Sequence, residues 1–393
     1  MNSSLASSKL KILIVSSSFY PKIDGSTRCV FDHARKLAER GHLVYLVTRG
    51  VEGTPREELF YGIRVVRTSV NFRSGSFFNK AGLVSEEMLT ILRLQRKHHF
   101  DVVHVHGCAA GFAAIPAKYL FGVPLFITTH GTELLWPREL WWKPSREVGL
   151  GLLFERFVLG RANVVIAQSP GVRRYMLKIY GDSISGKIRL VHTGVDHRKF
   201  VPPPMNGQTK QVLFVGALSE IKGVRCLLNA FGQVHREVPE ARLVLVGSGP
   251  MANEYKELVR ETDLNGSVEF QGPVRDDGRL LRLYGASDIV VLPSNVGGPI
   301  SCTILEGLSC GRAVISTNVP GGIPDVLSDG AGLLMERGDE AALAAYLRRL
   351  MNDKEYLVTL EHNARAAVEE RYTLDSMVEK LEALYSVEKR RDR

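Results

Sequence analysis

Short runs of apolar, β-branched residues alternate with stretches of helical periodicity along most of the chain. Seven such runs in the first 200 residues predict buried strands: Lys9–Ser17, Leu43–Thr48, Ile63–Thr68, Asp101–His106, Pro124–Thr129, Asn163–Gln168 and Ile188–His192. Between the first two runs, Arg28–Arg40 has apolar residues at helical spacing and stops at Gly41. Strands that alternate with helices are typical of a parallel, doubly wound sheet.

The pattern restarts after a proline-rich segment. Val201–Lys210 contains three prolines and few apolar residues, which predicts a linker. Five further runs predict a second sheet of the same kind: Gln211–Val215, Arg242–Val246, Val268–Phe270, Ile289–Leu292 and Ala313–Ser316. Helical patterns follow at 341–351, 356–372 and 375–387. We therefore expect an α/β protein with one domain over residues 1–200, a linker over 201–210 and a second domain over 211–372.

Composition excludes several classes of protein. The 45% hydrophobic and 24% charged residues are those of an ordinary globular protein. No apolar run is long enough to cross a bilayer, and Met1–Ser8 lacks the apolar core of a secretory signal. Five cysteines without a C-x-x-C argue against a disulfide framework or a zinc site. We expect a cytoplasmic protein.

The net charge of +9 is distributed unevenly. Residues 1–200 contain 29 Lys and Arg against 15 Asp and Glu, so the first half carries +14 and the remainder −5. This asymmetry indicates either an anionic partner for the first half or a basic, solvated face. Aromatic and basic residues also interleave at 72–80, 136–146 and 173–180. Such mixtures favour the water–lipid boundary, so we expect the first half to work at an anionic membrane surface, peripheral to the inner face. Packing of Trp141 and Trp142 in the core is the competing interpretation.

The segment from Asp288 to Leu334 carries the clearest chemical pattern. An apolar strand runs into Pro293 and a glycine-rich turn, and a short helix bearing Glu306 follows. In a parallel sheet, ligands bind beyond the carboxyl ends of strands, where helix N-termini present N–H groups to anions. The layout is typical of a site for a diphosphate and a ribose.

Three other segments place polar groups at predicted strand ends. Gly25 lies between the first strand and the first helix, His106 and His130 end two strands, and Lys222 follows the strand that ends at Val215. Each has a plainer interpretation: a tight turn for Gly25, buried and hydrogen-bonded imidazoles for the histidines, and an exposed surface residue for Lys222.

Taken in order, these segments resemble the retaining family 4 glycosyltransferases of GT-B architecture, from about Lys9 to Tyr385. The resemblance rests on the loops Phe19–Ser26, Gly216–Gly223 and Gly298–Glu306. It implies two Rossmann-like domains that face a cleft, with the C-terminal helix, 373–393, packed back on the first domain.

The resemblance also implies roles for individual residues. As catalytic candidates it gives His106, His130 and Lys222. On the acceptor side it gives Asp24, Ser26 and Glu133. As donor-binding residues it gives Gly25, Gly216, Lys222, Gly249, Val274, Gly298, Pro299, Ile300, Cys302, Thr303, Ile304 and Glu306.

Two positions depart from the family pattern. Ala217 stands where the family has an arginine that grips the donor diphosphate, and Gly298 stands where the family has the first carboxylate of a Glu-x7-Glu pair. A unit charge about 4 Å from a phosphate contributes a gross interaction of about 4 kcal/mol at an effective dielectric near 20. We therefore expect other groups to compensate for Ala217.

The function that the resemblance implies is transfer of a sugar, with retention, from a nucleotide-diphosphate sugar to a glycan, lipid-linked or other anionic acceptor. We expect no cofactor and no metal: no Asp-x-Asp occurs, and the sequence shows no third ligand for the His104-x-His106 pair. The absence of G-x-S-x-G, Walker and G-x-G-x-x-G motifs argues against α/β-hydrolases, P-loop proteins and common dehydrogenases.

Three alternatives stay open from the sequence. A non-catalytic GT-B protein that binds a ligand or a partner transferase would account for Ala217 and Gly298. A GT-B phosphorylase or a nucleotide-sugar epimerase would share the fold. A nucleic-acid binder is suggested only by the basic half, and no recognition motif supports it, so we expect no nucleic acid among the partners.

Overall fold

The computed structural model describes residues 9–22, 25–69, 77–129, 146–202 and 208–391, without the side chains of 77–81 and 146–149. Within these ranges the chain forms two α/β halves, each built on one sheet. The strands of the first half are β1 (Lys11–Ser16), β2 (Leu43–Thr48), β3 (Glu57–Phe60), β4 (Ile63–Arg67), β5 (Val102–His106), β6 (Leu125–Thr128), β7 (Val164–Ala167) and β8 (Ile188–Leu190). Its helices are α1 (Gly25–Glu39), α2 (Phe77–His98), α3 (Cys108–Phe121), α4 (Arg146–Arg161), α5 (Pro170–Tyr180) and α6 (Asp182–Ser185).

The second half repeats this plan. Its strands are β9 (Gln211–Val215), β10 (Arg242–Val246), β11 (Val268–Gly272), β12 (Ile289–Leu292), β13 (Ala313–Thr317) and β14 (Leu333–Met335). A 3-10 turn at Glu220–Lys222 follows β9. Its helices are α7 (Val224–His235), α8 (Ala252–Arg260), α9 (Asp277–Gly285), α10 (Cys302–Ser309), α11 (Gly322–Leu327), α12 (Glu340–Asn352) and α13 (Lys354–Arg371). The last helix, α14 (Leu374–Arg391), follows α13.

Both sheets are doubly wound. Their strand orders are β3-β4-β2-β1-β5-β6-β7-β8 and β11-β10-β9-β12-β13-β14, and all described pairings are parallel except that of β3 with β4. Strand β3 was not predicted, because Glu57–Phe60 lies at the sheet edge and has no buried apolar run. Strand β14 was not predicted either, because it has only three residues. The predicted GT-B class of α/β architecture is confirmed.

Strand β1 shows why the apolar runs signalled this fold. Ile12 to Val15 are all inaccessible to solvent. Leu13 and Val15 pack in one hydrophobic cluster of the first half, whereas Ile12 and Ile14 pack in the other, because successive side chains leave opposite faces of a strand. A strand covered by helices on both faces needs apolar residues at every position.

The last helix packs on the first half of the chain. The Asp375 carboxylate lies 2.7 Å from the Lys36 ammonium of α1, and Glu382 accepts hydrogen bonds from Arg40 and His42 at 2.9 and 2.7 Å. A parallel β-bridge between Val195 and Thr373 holds the residue before α14 against the end of the first half. Among the described residues, no helix combines the length and apolarity required to cross a bilayer.

Candidate functional site

The two sheets each have one point where the strand order reverses. In the second half it lies between β9 and β12, and in the first half between β1 and β5. Loops that leave neighbouring strands in opposite directions open a crevice at such a point, where ligands of α/β proteins bind. The predicted residues Lys222 and Glu306 follow β9 and β12, while Gly25 and His106 follow or end β1 and β5.

Helix α10 begins at the crevice of the second half. Its predicted anion-binding residues Cys302, Thr303 and Ile304 form the first turn, whose N–H groups have no partner within the helix. Ser301 precedes the helix and makes no side-chain capping bond. The Thr303 hydroxyl donates to the Val215 carbonyl at 3.0 Å, so the backbone of this turn, rather than that hydroxyl, remains for an anion.

Lys222 ends the 3-10 turn that follows β9, and this turn packs against the loop that joins β12 to α10. The backbone N–H of Asn295 donates to the Ile221 carbonyl at 2.8 Å, which ties the β9 loop to the β12 loop. Burial lowers the pKa of Lys222. Within the described part of the chain its ammonium has neither a hydrogen-bonding nor an ion-pair partner. A partly desolvated cation without a carboxylate nearby favours an anionic ligand.

Glu306 lies one turn inside α10 and is buried. The Tyr284 hydroxyl of α9 donates to its carboxylate at 2.8 Å. Burial raises the pKa of Glu306 to about 7, although the Arg28 guanidinium and the Tyr284 hydroxyl act in the opposite direction. Tyr284 therefore occupies part of the hydrogen-bonding capacity of Glu306, the residue expected to accept hydrogen bonds from ribose hydroxyls.

Arg28 reaches the same region from the first half of the chain. Its guanidinium donates to Asp32 at 3.1 Å on its own helix and to Asp277 of α9 at 2.6 Å. Burial opposes the charged form, but the carboxylates of Asp32, Glu306 and Asp277 together outweigh it and raise the pKa of Arg28. Arg28 was not among the predicted site residues, because its partner Asp277 lies 249 positions away in the sequence.

The glycines at the β9 and β10 ends are needed for close packing of the loops. A Cβ at Gly249 would collide with the carbonyl oxygen of Leu218, and one at Gly223 with that of Pro293. A Cβ at Gly216 would make a tight contact with the Phe214 ring, at 3.2 Å, but would not meet the backbone. Val274 follows β11 at the sheet edge and is half-buried against the core of the second half.

The loop before α10 is held by the loop before α11. The Gly322 N–H donates to the Gly298 carbonyl at 2.8 Å, and Gly298 bridges to Gly321. A Cβ at Gly298 would meet nothing within 4 Å, so the missing family carboxylate has left open space. Pro299 is partly accessible, but the Ile300 side chain is buried in the core, which leaves only its backbone for a ligand.

The histidines of the first half form a buried cluster. His104 Nδ1 shares a hydrogen bond with the Tyr385 hydroxyl of α14. His104 Nε2 shares another with the Thr128 hydroxyl, at 2.8 Å. The Tyr385 hydroxyl also lies 3.2 Å from His33 Nε2, and His33 Nδ1 lies 3.4 Å from His106 Nε2. The three imidazoles converge to within 4.8 Å, so the structure supplies the third histidine that sequence spacing did not reveal.

The hydrogen-bonded chain orients the His106 ring at the strand end. Each neutral imidazole has one donor and one acceptor nitrogen, so a single direction of donation through Tyr385 satisfies the whole chain. His33 and Tyr385 could not be found from motifs because they come from a helix of the first half and from the last helix.

The two halves meet at the predicted residues. The Cys302 thiol lies 3.4 Å from the Gly25 carbonyl, which brings the first turn of α1 against α10. Ser26 follows in α1 and is half-buried. Asp24, His130 and Glu133 lie outside the described residues, so their predicted roles stay predictions.

A second contact joins α5 to α11. Asp325 accepts from the Gly171 N–H at 2.5 Å and lies 3.3 Å from the Arg174 guanidinium. A Cβ at Gly171 would collide with the carbonyl oxygen of Gly321. This contact between the halves thus depends on a glycine at the start of α5, where the helix dipole favours the carboxylate.

Two family models match the chain in succession. The model described as Glycosyltransferase Family 4 matches residues 23–199, and the model described as Glycosyl transferases group 1 matches residues 196–367. The two matches overlap at residues 196–199, just before the predicted linker at 201–210.

Curated proteins and solved structures extend the likeness. Alpha-maltose-1-phosphate synthase of Mycolicibacterium smegmatis is 30% identical over 285 residues, which cover 67% of this chain and 71% of that protein. N-acetyl-alpha-D-glucosaminyl L-malate synthase of Bacillus anthracis is 27% identical over 390 residues, covering 96% and 97%. The structure of Anabaena HepE in complex with UDP-glucose superposes with a TM-score of 0.77 at 20% identity, covering 96% of this chain and 100% of that one.

Proposed function

The chain belongs to the glycosyltransferases of family 4 and group 1, and we propose that it transfers a hexosyl group from a UDP-sugar to an anionic acceptor, with retention and without a metal. Lys222 carries the proposal: its ammonium is partly buried and has no carboxylate partner among the described residues, and its turn is hydrogen-bonded to the loop that leads into α10. A donor diphosphate supplies the negative charge with which this ammonium can pair.

The donor chemistry follows from the crevice of the second half. Lys222 and the first-turn N–H groups of α10 stabilise the charge that develops on the leaving diphosphate. Glu306 holds the ribose hydroxyls, with Tyr284 fixing one of its oxygens. The uridine base is supported by HepE, whose structure contains UDP-glucose.

Transfer breaks the bond between the sugar C1 and the diphosphate oxygen and forms a bond from C1 to the acceptor oxygen. The acceptor's proton passes to the departing diphosphate, because the acceptor attacks on the face that this group leaves. Gly298 offers no carboxylate as a nucleophile, so retention would proceed through this single front-side step rather than through a covalent glycosyl-enzyme. His106 holds a sugar or acceptor hydroxyl from the first half.

An anionic acceptor is supported by charge and by one relative. The first half carries +14, and the Bacillus anthracis relative takes its name from L-malate, a dicarboxylic acid. Arg28 does not serve this purpose directly, because Asp32 and Asp277 already pair with it.

A panel of nucleotide sugars tests the proposal. UDP-, GDP- and ADP-linked glucose and N-acetylglucosamine are incubated with the protein and with dicarboxylate, sugar-phosphate and lipid-phosphate acceptors, and nucleotide release is followed. We expect UDP release that needs an acceptor, with a product whose anomeric proton shows the α configuration of the donor. A β-linked product would contradict retention.

Gly298 and Ala217 favour a second candidate, a non-catalytic member of the family that still binds a nucleotide sugar. Ala217 lacks the positive charge, and Gly298 the negative charge, that the family pattern has at these two positions. The same panel separates the candidates: binding of a nucleotide sugar without turnover on any acceptor supports the second.

A further inference from the structure

The outer face of α4 is apolar where surface helices normally carry polar side chains. Four residues recur there at helical spacing: Leu150, Leu153, Phe154 and Phe157. Leu150 and Leu153 are 62% and 64% exposed. The buried face of the same helix contains Glu155, which accepts a hydrogen bond from the Tyr180 hydroxyl. Val158 and Leu159 of the same helix are buried in the core, so α4 carries apolar side chains on its outer face as well as on its inner face.

The apolar surface continues across α3 to α2. The Phe112 ring of α3 lies 5.6 and 6.3 Å from the rings of Phe154 and Phe157. Further along α3, Tyr119 and Leu120 are about two-thirds exposed, at 65% and 68%. Beyond them a groove of about 660 Å³ separates α3 from α2, with Leu89, Leu92, Leu120 and Phe121 in its walls. We call the exposed apolar residues of these three helices, from Leu89 to Phe157, the α2–α4 face.

The charges around the α2–α4 face are basic. Arg93, Arg96 and Lys97 line the α2 side of the groove and are exposed. On the α4 side Arg156 is exposed, and the Arg161 guanidinium lies 3.4 Å above the Phe157 ring.

The described acidic side chains of these helices do not offset this charge. Glu87 and Glu155 are buried, and Glu86 accepts hydrogen bonds from Ser69. Apolar patches larger than a few hundred Å² on a monomer mark interaction sites, and this one has a basic border.

We propose that the α2–α4 face docks the protein on an anionic lipid bilayer. The leucines and phenylalanines enter the boundary between headgroups and acyl chains, while the arginines and lysines bind lipid phosphates. A second copy of the chain fits less well, because a self-complementary contact would bring like charges together. The surface differs from the segments that suggested a membrane in the sequence: 72–76 and 136–145 lie outside the described residues, and Met176 and Tyr180 of 173–180 are core residues.

Co-sedimentation with vesicles tests this proposal without reference to sugar transfer. The full-length protein is mixed with phosphatidylcholine vesicles containing none or 30% phosphatidylglycerol, at rising salt. We expect binding to anionic vesicles only. This binding should weaken as the salt concentration rises through the physiological range, where the screening length falls to about 8 Å. The variant Leu153→Glu with Phe157→Glu should bind at least tenfold more weakly, and Arg93→Gln with Arg96→Gln should lose most of the salt dependence.

Leu59→Glu is the matched control, because Leu59 is an equally exposed leucine on the edge strand β3, at 73%. It should bind as the wild type does, and the thermal midpoints of all variants should agree because none of these side chains is in the core. The proposal is overturned by failure of the wild type to bind anionic vesicles, by equal binding of neutral vesicles, or by equal weakening in Leu59→Glu. A wild-type dimer in light scattering that Leu153→Glu with Phe157→Glu dissociates would assign the face to a second copy instead.

Discussion

The hydroxyl of Tyr284 donates to the carboxylate of Glu306 at 2.8 Å, in the interior of the second half. This pair joins α9 to α10 at the point where the nucleotide is proposed to bind. Two consequences follow. Glu306 is positioned without a ligand, and its ionisation is linked to the folding of the domain.

Glu306 should make the folded state less stable as pH rises. Burial raises the pKa of Glu306 from its ordinary value of 4.5 to about 7. Its contribution to stability is therefore fully present below pH 4.5 and is lost as pH rises through 7, where the folded state must ionise a buried acid. We expect Glu306→Gln to gain stability relative to the wild type over this window, by about 3 kcal/mol at most.

Denaturant titrations of the wild type and of Glu306→Gln at pH 4.5, 6 and 8 measure the difference in their free energies of unfolding. Glu87→Gln is the matched control, because burial also raises the pKa of Glu87 to about 7 but that residue lies in α2, away from the cleft. Both variants should show the pH trend, whereas only Glu306→Gln should weaken nucleotide-sugar binding. A pH-independent difference for Glu306→Gln would show that folding does not raise the pKa of Glu306.

Gly171→Ala should impair transfer while leaving each half folded. The new methyl group collides with the Gly321 carbonyl and separates α5 from α11, so the two halves cannot keep their present relative position. We expect kcat/KM to fall at least tenfold with a thermal midpoint close to that of the wild type. Gly160→Ala is the control, since a Cβ there meets nothing within 4 Å. Unchanged kinetics in Gly171→Ala would mean that this contact is not part of the active arrangement.

Gly298→Glu should fit the structure and increase turnover. Its Cβ enters open space, and the carboxylate returns to the place that it has in the resembling family. A hydrogen bond to a charged group is worth about 1.5–3 kcal/mol, so we expect kcat/KM to rise about tenfold. Gly297→Ala, whose Cβ would collide with the Pro320 carbonyl, should instead destabilise the protein. A stable Gly298→Glu enzyme with lower turnover would indicate that the small residue serves this chain's own substrate.

Transfer should persist in excess EDTA. The three clustered imidazoles are engaged with one another, with Tyr385 and with Thr128. In the proposed donor site the positive charge comes from Lys222 rather than from a metal. Initial rates with and without EDTA, and after addition of Mg²⁺, measure this. Complete loss that Mg²⁺ restores would contradict metal independence.

The sequence predicted the parts of this molecule that local pattern determines. Apolar runs located most strands, and loops at strand ends pointed to Lys222 and Glu306, because neighbouring strands of a doubly wound sheet place those loops together. It could not predict partners that converge from distant segments. Arg28 meets Asp277 across 249 positions, and His33 meets His106 across 73, and neither pair leaves a periodic or spaced signal.

The central claim is that Lys222 binds the donor diphosphate, and calorimetric titration of UDP-glucose tests it most directly. We expect the wild type to bind with heat that is saturable, and Lys222→Ala to bind at least tenfold more weakly with an unchanged thermal midpoint. Lys354→Ala, at an exposed lysine of α13, should bind as the wild type does. Equal affinities in the wild type and Lys222→Ala would contradict the assignment of the donor site.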